Sequence, residues 1–141
     1  MTPAPDAGLD GIGRAPGQDR TPSRRTGIAM AAEAATFALA SAAHFATGFT
    51  DAAIPELLIA VVLGLGSSAV FFQRPHAWGT AAGTTSFAAL GTIVGLTIIA
   101  TGRQDAPDLA YHATILTALA ATLIALGGPA GLTRPTEKHV S

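Results

Sequence analysis

The chain has 141 residues, 49% hydrophobic and 12% charged, with a formal net charge of −1, no cysteine and a mean hydropathy of +0.43. A charged fraction near half the usual ~25% does not suit a soluble domain, nor a chain kept disordered by low hydrophobicity and high net charge. The charge balance leaves no basic footprint for nucleic acid, and the missing thiols exclude disulfides, thiolate metal sites and a cysteine nucleophile. The class that fits is a small integral membrane protein.

Residues 1–26 hold seven charged residues and four of the nine prolines, with no apolar periodicity. They are expected to form a disordered cytoplasmic tail, too polar to offset the entropy of ordering. Four apolar stretches follow, each near the ~20 residues that a ~30 Å hydrocarbon core requires. The expected spans run over 27–48, 54–73, 77–102 and 107–128, followed by a cytoplasmic tail at 129–141. Pro55, Pro75, Pro107 and Pro129 fall at the expected helix ends, where a missing N–H costs least. Gly48, Gly102 and Gly128 sit where C-terminal caps are expected. The apolar runs 57–65 and 115–126 do not alternate as strands of a barrel would. The three turns are short, which predicts antiparallel neighbours: an all-α, up-down-up-down four-helix transmembrane bundle.

With the N-terminus in the cytoplasm, Arg14, Arg20, Arg24, Arg25, Arg74, Arg134 and Lys138 lie inside and Arg103 alone outside, as the positive-inside rule prefers. Trp78, Phe71 and Phe72 are then expected at the inner boundary and Tyr111 at the outer one. The location expected is the cell membrane, multi-pass, with both termini cytoplasmic. An alternative reading of the first span is a twin-arginine export signal. Ser23-Arg24-Arg25 precedes an Ala-rich stretch ending in Ala40-Ser41-Ala42, although Gly27 is a poor match where such signals prefer a large apolar residue.

The two outer turns read alike. Ala46-Thr47-Gly48 leads through Asp51-Ala52 to Pro55-Glu56-Leu57, and Ala100-Thr101-Gly102 leads through Asp105-Ala106 to Pro107-Asp108-Leu109. This predicts either a duplicated helical hairpin or convergence on common cap grammar. Gly79 with Gly83 and Gly91 with Gly95 form two GxxxG units on the third helix. They serve either a homodimer face or packing within the bundle, and the second is the more frequent use.

Polar residues at membrane depth define two layers. Near the outer boundary lie His44, Glu56 and His112, each within about 3–8 Å of the interface by helix rise. Two imidazoles and a carboxylate are ligand types for a divalent metal, two histidines suit a haem, and imidazole near neutrality relays protons. The plainer alternative is a capping carboxylate with two interfacial histidines. About 9 Å from the inner boundary lie Glu33, Ser67, Ser68, Thr84, Thr85, Ser86 and Thr122. As an acid, Glu33 has one hydrogen bond to donate to a neighbouring hydroxyl or carbonyl. Glu33 and His44 are eleven residues apart, about 20° from alignment, so they share a face with Phe37 and Ala40 that is expected to point into the bundle. His76 and His139 are expected to be exposed.

No nucleotide, phosphate, zinc-protease, kinase or hydrolase signature is present. Thirty-one alanines and seven arginines against one lysine suggest a GC-rich bacterial genome. The chain resembles small four-span bacterial membrane proteins, a likeness too general to transfer any residue role. The function expected is non-enzymatic: a packing or accessory component, embedded in the lipid bilayer, of a homo-oligomer or larger membrane complex, with no cofactor. One alternative is a proton- or ion-coupled transport component using Glu33, His44, Glu56 and His112. The other is a redox membrane protein binding haem or a divalent metal through His44 and His112, with Glu56.

Overall fold

A computed structural model of the protein describes residues 21–102 and 106–127. They form four helices: α1 (Arg24–Ala46), α2 (Thr50–Phe71), α3 (Ala77–Thr101) and α4 (Ala106–Gly127). Each is long and apolar enough to cross a membrane, and there is no strand among the described residues. Most of the two expected tails, with His139, lies outside the described residues, as do Arg103, Gln104 and Asp105.

Two boundaries depart from the expected spans for local reasons. The first helix starts at Arg24 because Ser23 caps it, its Oγ accepting from the Thr26 N–H at 3.2 Å. Arg24 and Arg25 are therefore its first turn rather than part of a tail. The second starts at Thr50, because the Phe49 carbonyl already accepts from the N–H groups of Ala52 and Ala53. Pro55 is thus the sixth helical residue, not a first-turn residue. Its ring leaves the Asp51 carbonyl without a helical donor, at a place where Asp51 is still exposed.

The α1–α2 turn closes as a Schellman motif. Phe49 N–H donates to His44 O at 2.8 Å and Gly48 N–H to Phe45 O at 3.2 Å, with Gly48 at φ +81°. Glycine takes that left-handed conformation without a Cβ clash. The α2–α3 turn uses the same pattern with no glycine. Arg74 N–H donates to Ala69 O at 3.0 Å and Gln73 N–H to Val70 O at 3.2 Å, while Gln73 and His76 sit at φ +46° and +66°. Gly102 closes α3 with φ −109°, unlike Gly48. The two stretches that read alike in sequence, after α1 and after α3, thus end their helices differently, and α1 packs on α2 more extensively than α3 on α4.

Neighbouring helices run antiparallel, as cross-helix hydrogen bonds record. Ser67 near the end of α2 donates to Gly27 O at the start of α1 (2.9 Å), and Ser41 near the end of α1 donates to Ala53 O at the start of α2 (2.7 Å). The Trp78 indole N–H at the start of α3 donates to Leu126 O in the last turn of α4 (3.0 Å), one of the carbonyls a helix end leaves free. Small residues permit this closeness. A Cβ at Gly27 would lie 3.1 Å from Val70 Cγ1. At Gly66 it would run into Thr84 Oγ1 and lie 2.7 Å from Met30 Cε. Between the helices sits an apolar core of Met30, Phe37, Leu63, Ala81, Ala88 and Leu119.

Gly64 and Gly66 on α2 make a matched test. Nothing lies within 4 Å of a Cβ at Gly64. Gly64→Ala is expected to be neutral or to stabilise by up to about 1 kcal/mol through helix propensity. Gly66→Ala is expected to destabilise by about 1–3 kcal/mol through overpacking. Unfolding of the two variants in the same detergent micelle measures the difference.

Candidate functional site

The intramembrane polar side chains gather at two heights. Toward the turn that joins α1 and α2, His44 Nδ1 and Glu56 Oε2 are hydrogen-bonded at 2.7 Å, tying the end of α1 to the start of α2. The histidine side chain is 21% exposed and that of the glutamate 6%, so the pair is closed on one side and open to its surroundings on the other. Glu56 Oε1 is buried and has no hydrogen-bond partner.

His112 approaches from α4 but makes a different bond. Its Nδ1–H donates to the Asp108 carbonyl at 2.9 Å, with Asp108 Oδ1 3.5 Å away. A carbonyl only accepts, so Nδ1 carries a proton in this bond, and Nε2 lies on the other edge of the ring. That Nε2 edge abuts α3, where a Cβ at Gly95 would lie 3.1 Å from it. Neither His112 nor Asp108 is hydrogen-bonded to Glu56. The three residues expected to converge therefore divide: His44 and Glu56 pair directly, and His112 stands beside them on its own helix. Among the described residues, no group of three or more histidine, aspartate or glutamate side chains could hold a metal ion.

Three participants were not singled out from the sequence. Tyr111, expected as an interfacial anchor, turns its hydroxyl into the protein, where it is buried without a partner. Its ring stands edge-on to Phe37 (centroids 6.5 Å) and to His112 (5.1 Å). Asp108, expected as a helix-start carboxylate, supplies the carbonyl that accepts from His112 Nδ1. Ser41 braces α1 against the Ala53 carbonyl. Its spacing was the available signal, because Glu33, Phe37, Ser41 and His44 repeat at steps of four, four and three along one helix face.

The second height is nearer the other end of the bundle. Thr122 Oγ1 donates to Glu33 Oε1 at 2.7 Å, joining α4 to α1, and Glu33 Oε2 is buried with no partner. Ser67 is used on Gly27 O, and Thr84 on the carbonyls of Thr80 and Ala81 in its own helix. Ser68 and Ser86 are exposed. Thr85 is fully buried with its hydroxyl unpartnered. The expected inward face of α1 is present: Glu33 and Phe37 are buried, with Ala40 and His44 partly so. His76 is exposed in the α2–α3 turn.

The two GxxxG units of α3 face different ways. Gly91 and Gly95 turn inward, against Ile59 of α2 and His112 of α4. Gly79 and Gly83 are exposed, with nothing within 4 Å of a Cβ at either.

No protein-family model, curated protein or solved structure matches the chain.

A double-mutant cycle on His44→Ala and Glu56→Ala is expected to give a coupling of about 1–3 kcal/mol, the range for bonded neighbours. His112→Ala with Glu56→Ala is expected to couple more weakly, since no hydrogen bond joins them. Melting curves of the single and double variants in one detergent supply both values.

Proposed function

We propose that the chain is a small polytopic membrane protein with a non-enzymatic role, a packing component of a homo-oligomer or larger membrane complex. The observation that carries this reading is the direction of its polar groups. The buried serines, Thr122 and the Trp78 indole bond to groups on other helices of the same chain. The surface left over is aliphatic and aromatic, with Leu39, Leu65, Leu90, Val94, Ile98 and Ile124 well exposed. Such a surface suits lipid or apolar helices of other subunits.

The orientation that fits places both termini in the cytoplasm. Arg24 and Arg25 at the start of α1 and Arg74 in the α2–α3 turn then fall on the inner side, as does Trp78 at the start of α3. In this reading the outer height holds the His44–Glu56 pair and the inner height holds Glu33. The small-residue stretch at Gly79 and Gly83 is where another helix approaches most closely. Replacing both glycines with isoleucine is expected to leave the melting temperature unchanged and to shift the assembly to smaller species. Native mass spectrometry from nanodiscs reads the size. An unchanged assembly would place the contact elsewhere.

A second reading is proton handling, and one observation favours it. Both intramembrane glutamates keep one buried carboxyl oxygen without a partner, Glu33 Oε2 and Glu56 Oε1. Helix packing alone does not require carboxyl groups, which are costly in such surroundings. In this reading proteoliposomes carry a proton flux that falls at least tenfold in Glu33→Gln and in Glu56→Gln. Flux equal to that of empty liposomes would end it.

A further inference from the structure

We propose that Glu33 is an exchangeable proton-binding site, with Thr122 as the donor to its carbonyl oxygen and Thr85 as the acceptor of its proton. The site deepens the proton-handling reading and rests on it only for the use made of the proton.

Three observations lead here. First, nothing cationic faces Glu33. Its own helix carries Arg24 and Arg25, exposed in the first turn about 12–14 Å away and not paired with it, and His44, eleven residues and about 16 Å away, already bonded to Glu56. The remaining titratable groups of the packed helices are Asp51 and Glu56 on α2 and Asp108, Tyr111 and His112 on α4, all at the opposite end of the bundle. Within its helical span α3 offers no titratable side chain. A buried carboxyl group without a countercharge is held as the neutral acid in apolar surroundings.

Second, the carboxyl is only half satisfied, and in an informative way. Thr122 Oγ1 donates to Oε1 and nothing meets Oε2. A neutral acid has one carbonyl oxygen that accepts and one hydroxyl that donates. With Thr122 as the donor, Oε1 takes the first role and the proton falls to the unpartnered Oε2.

Third, a hydroxyl of complementary need lies at the same height. Thr84, Thr92, Thr97, Thr101, Thr114 and Thr117 each donate to the carbonyl four residues back. Thr85 does not, although it is fully buried. Gly66 of α2 ties the levels together, since a Cβ there would meet both Met30 Cε and Thr84 Oγ1. Met30 is one turn inward of Glu33, and Thr85 is the next residue outward from Thr84. The buried face of α3 therefore carries the Thr85 hydroxyl across the bundle from the Glu33 carboxyl. The two atoms are not bonded to each other in this structure; a side-chain rotation that brings the Oε2 proton to Thr85 Oγ1 would satisfy both. The Thr85 hydroxyl then remains free to donate onward.

Infrared spectroscopy of the full chain in lipid tests the site. At neutral pH the wild-type spectrum is expected to contain a protonated-carboxyl carbonyl band that Glu33→Gln removes. Thr122→Val and Thr85→Val are each expected to move that band to higher frequency, and Thr85→Ser to restore it. Transfer to D2O is expected to lower its frequency within minutes in the folded protein. Absence of a Glu33-dependent band, a band unmoved by Thr85→Val, or one that does not respond to D2O overturns the proposal. Stability gives a second readout. A glutamine offers the same pattern of one acceptor and one donor, so Glu33→Gln is expected to melt at the wild-type temperature and Glu33→Leu well below it. Equal losses in the two variants would also overturn it. An exchanging band in a protein without proton flux would remove the transport reading and leave the site standing.

Discussion

A polar side chain among apolar helices has no water to fall back on, so it binds whatever donor or acceptor the neighbouring helix presents. In this chain that constraint decides how the four helices meet. Two serines fasten α1 to α2 from opposite ends, an indole N–H fastens α3 to α4, and a threonine fastens α4 back to α1 through Glu33. Each bond is modest in itself, but each works only at one helix rotation and one vertical offset. Apolar packing alone tolerates many such arrangements.

Small residues make the constraint workable. Serine hydroxyls reach a neighbouring backbone only if the helices approach closely, and Gly27 and Gly66 permit that approach between α1 and α2. On α3 the same residue type serves two purposes. Gly91 and Gly95 receive Ile59 and His112, while Gly79 and Gly83 lie on the exposed face. The GxxxG spacing is common to both units, and their difference comes from the rotation accumulated over the twelve residues between Gly79 and Gly91.

The two polar heights are chemically unlike. At one, an imidazole and a carboxylate bond directly, beside a second imidazole and a buried phenol. At the other, a lone carboxyl bonds one hydroxyl, that of Thr122. Between them lie Phe37, Leu63 and Leu119, all buried, which separate the two groups by apolar volume.

Much of the architecture was legible in one dimension. Helix number and approximate limits follow from apolar length and from Pro and Gly punctuation, which depend on local sterics and on the cost of unpaired backbone groups. The inward face of α1 follows from helical period, and the Glu33–His44 interval was read from it. What depth and period could not supply was direction across the bundle. His44, Glu56 and His112 share a height, yet His44 bonds Glu56 while His112 bonds its own helix at Asp108. Thr85 and Thr84 are neighbours of one type, yet one satisfies itself and the other does not. The sequence by itself determined four apolar helices, their approximate limits and which residues share a face, because these are properties of single helices. Only the tertiary structure decided which polar groups meet, because that depends on the mutual rotation and offset of helices, set by the packing of all four at once.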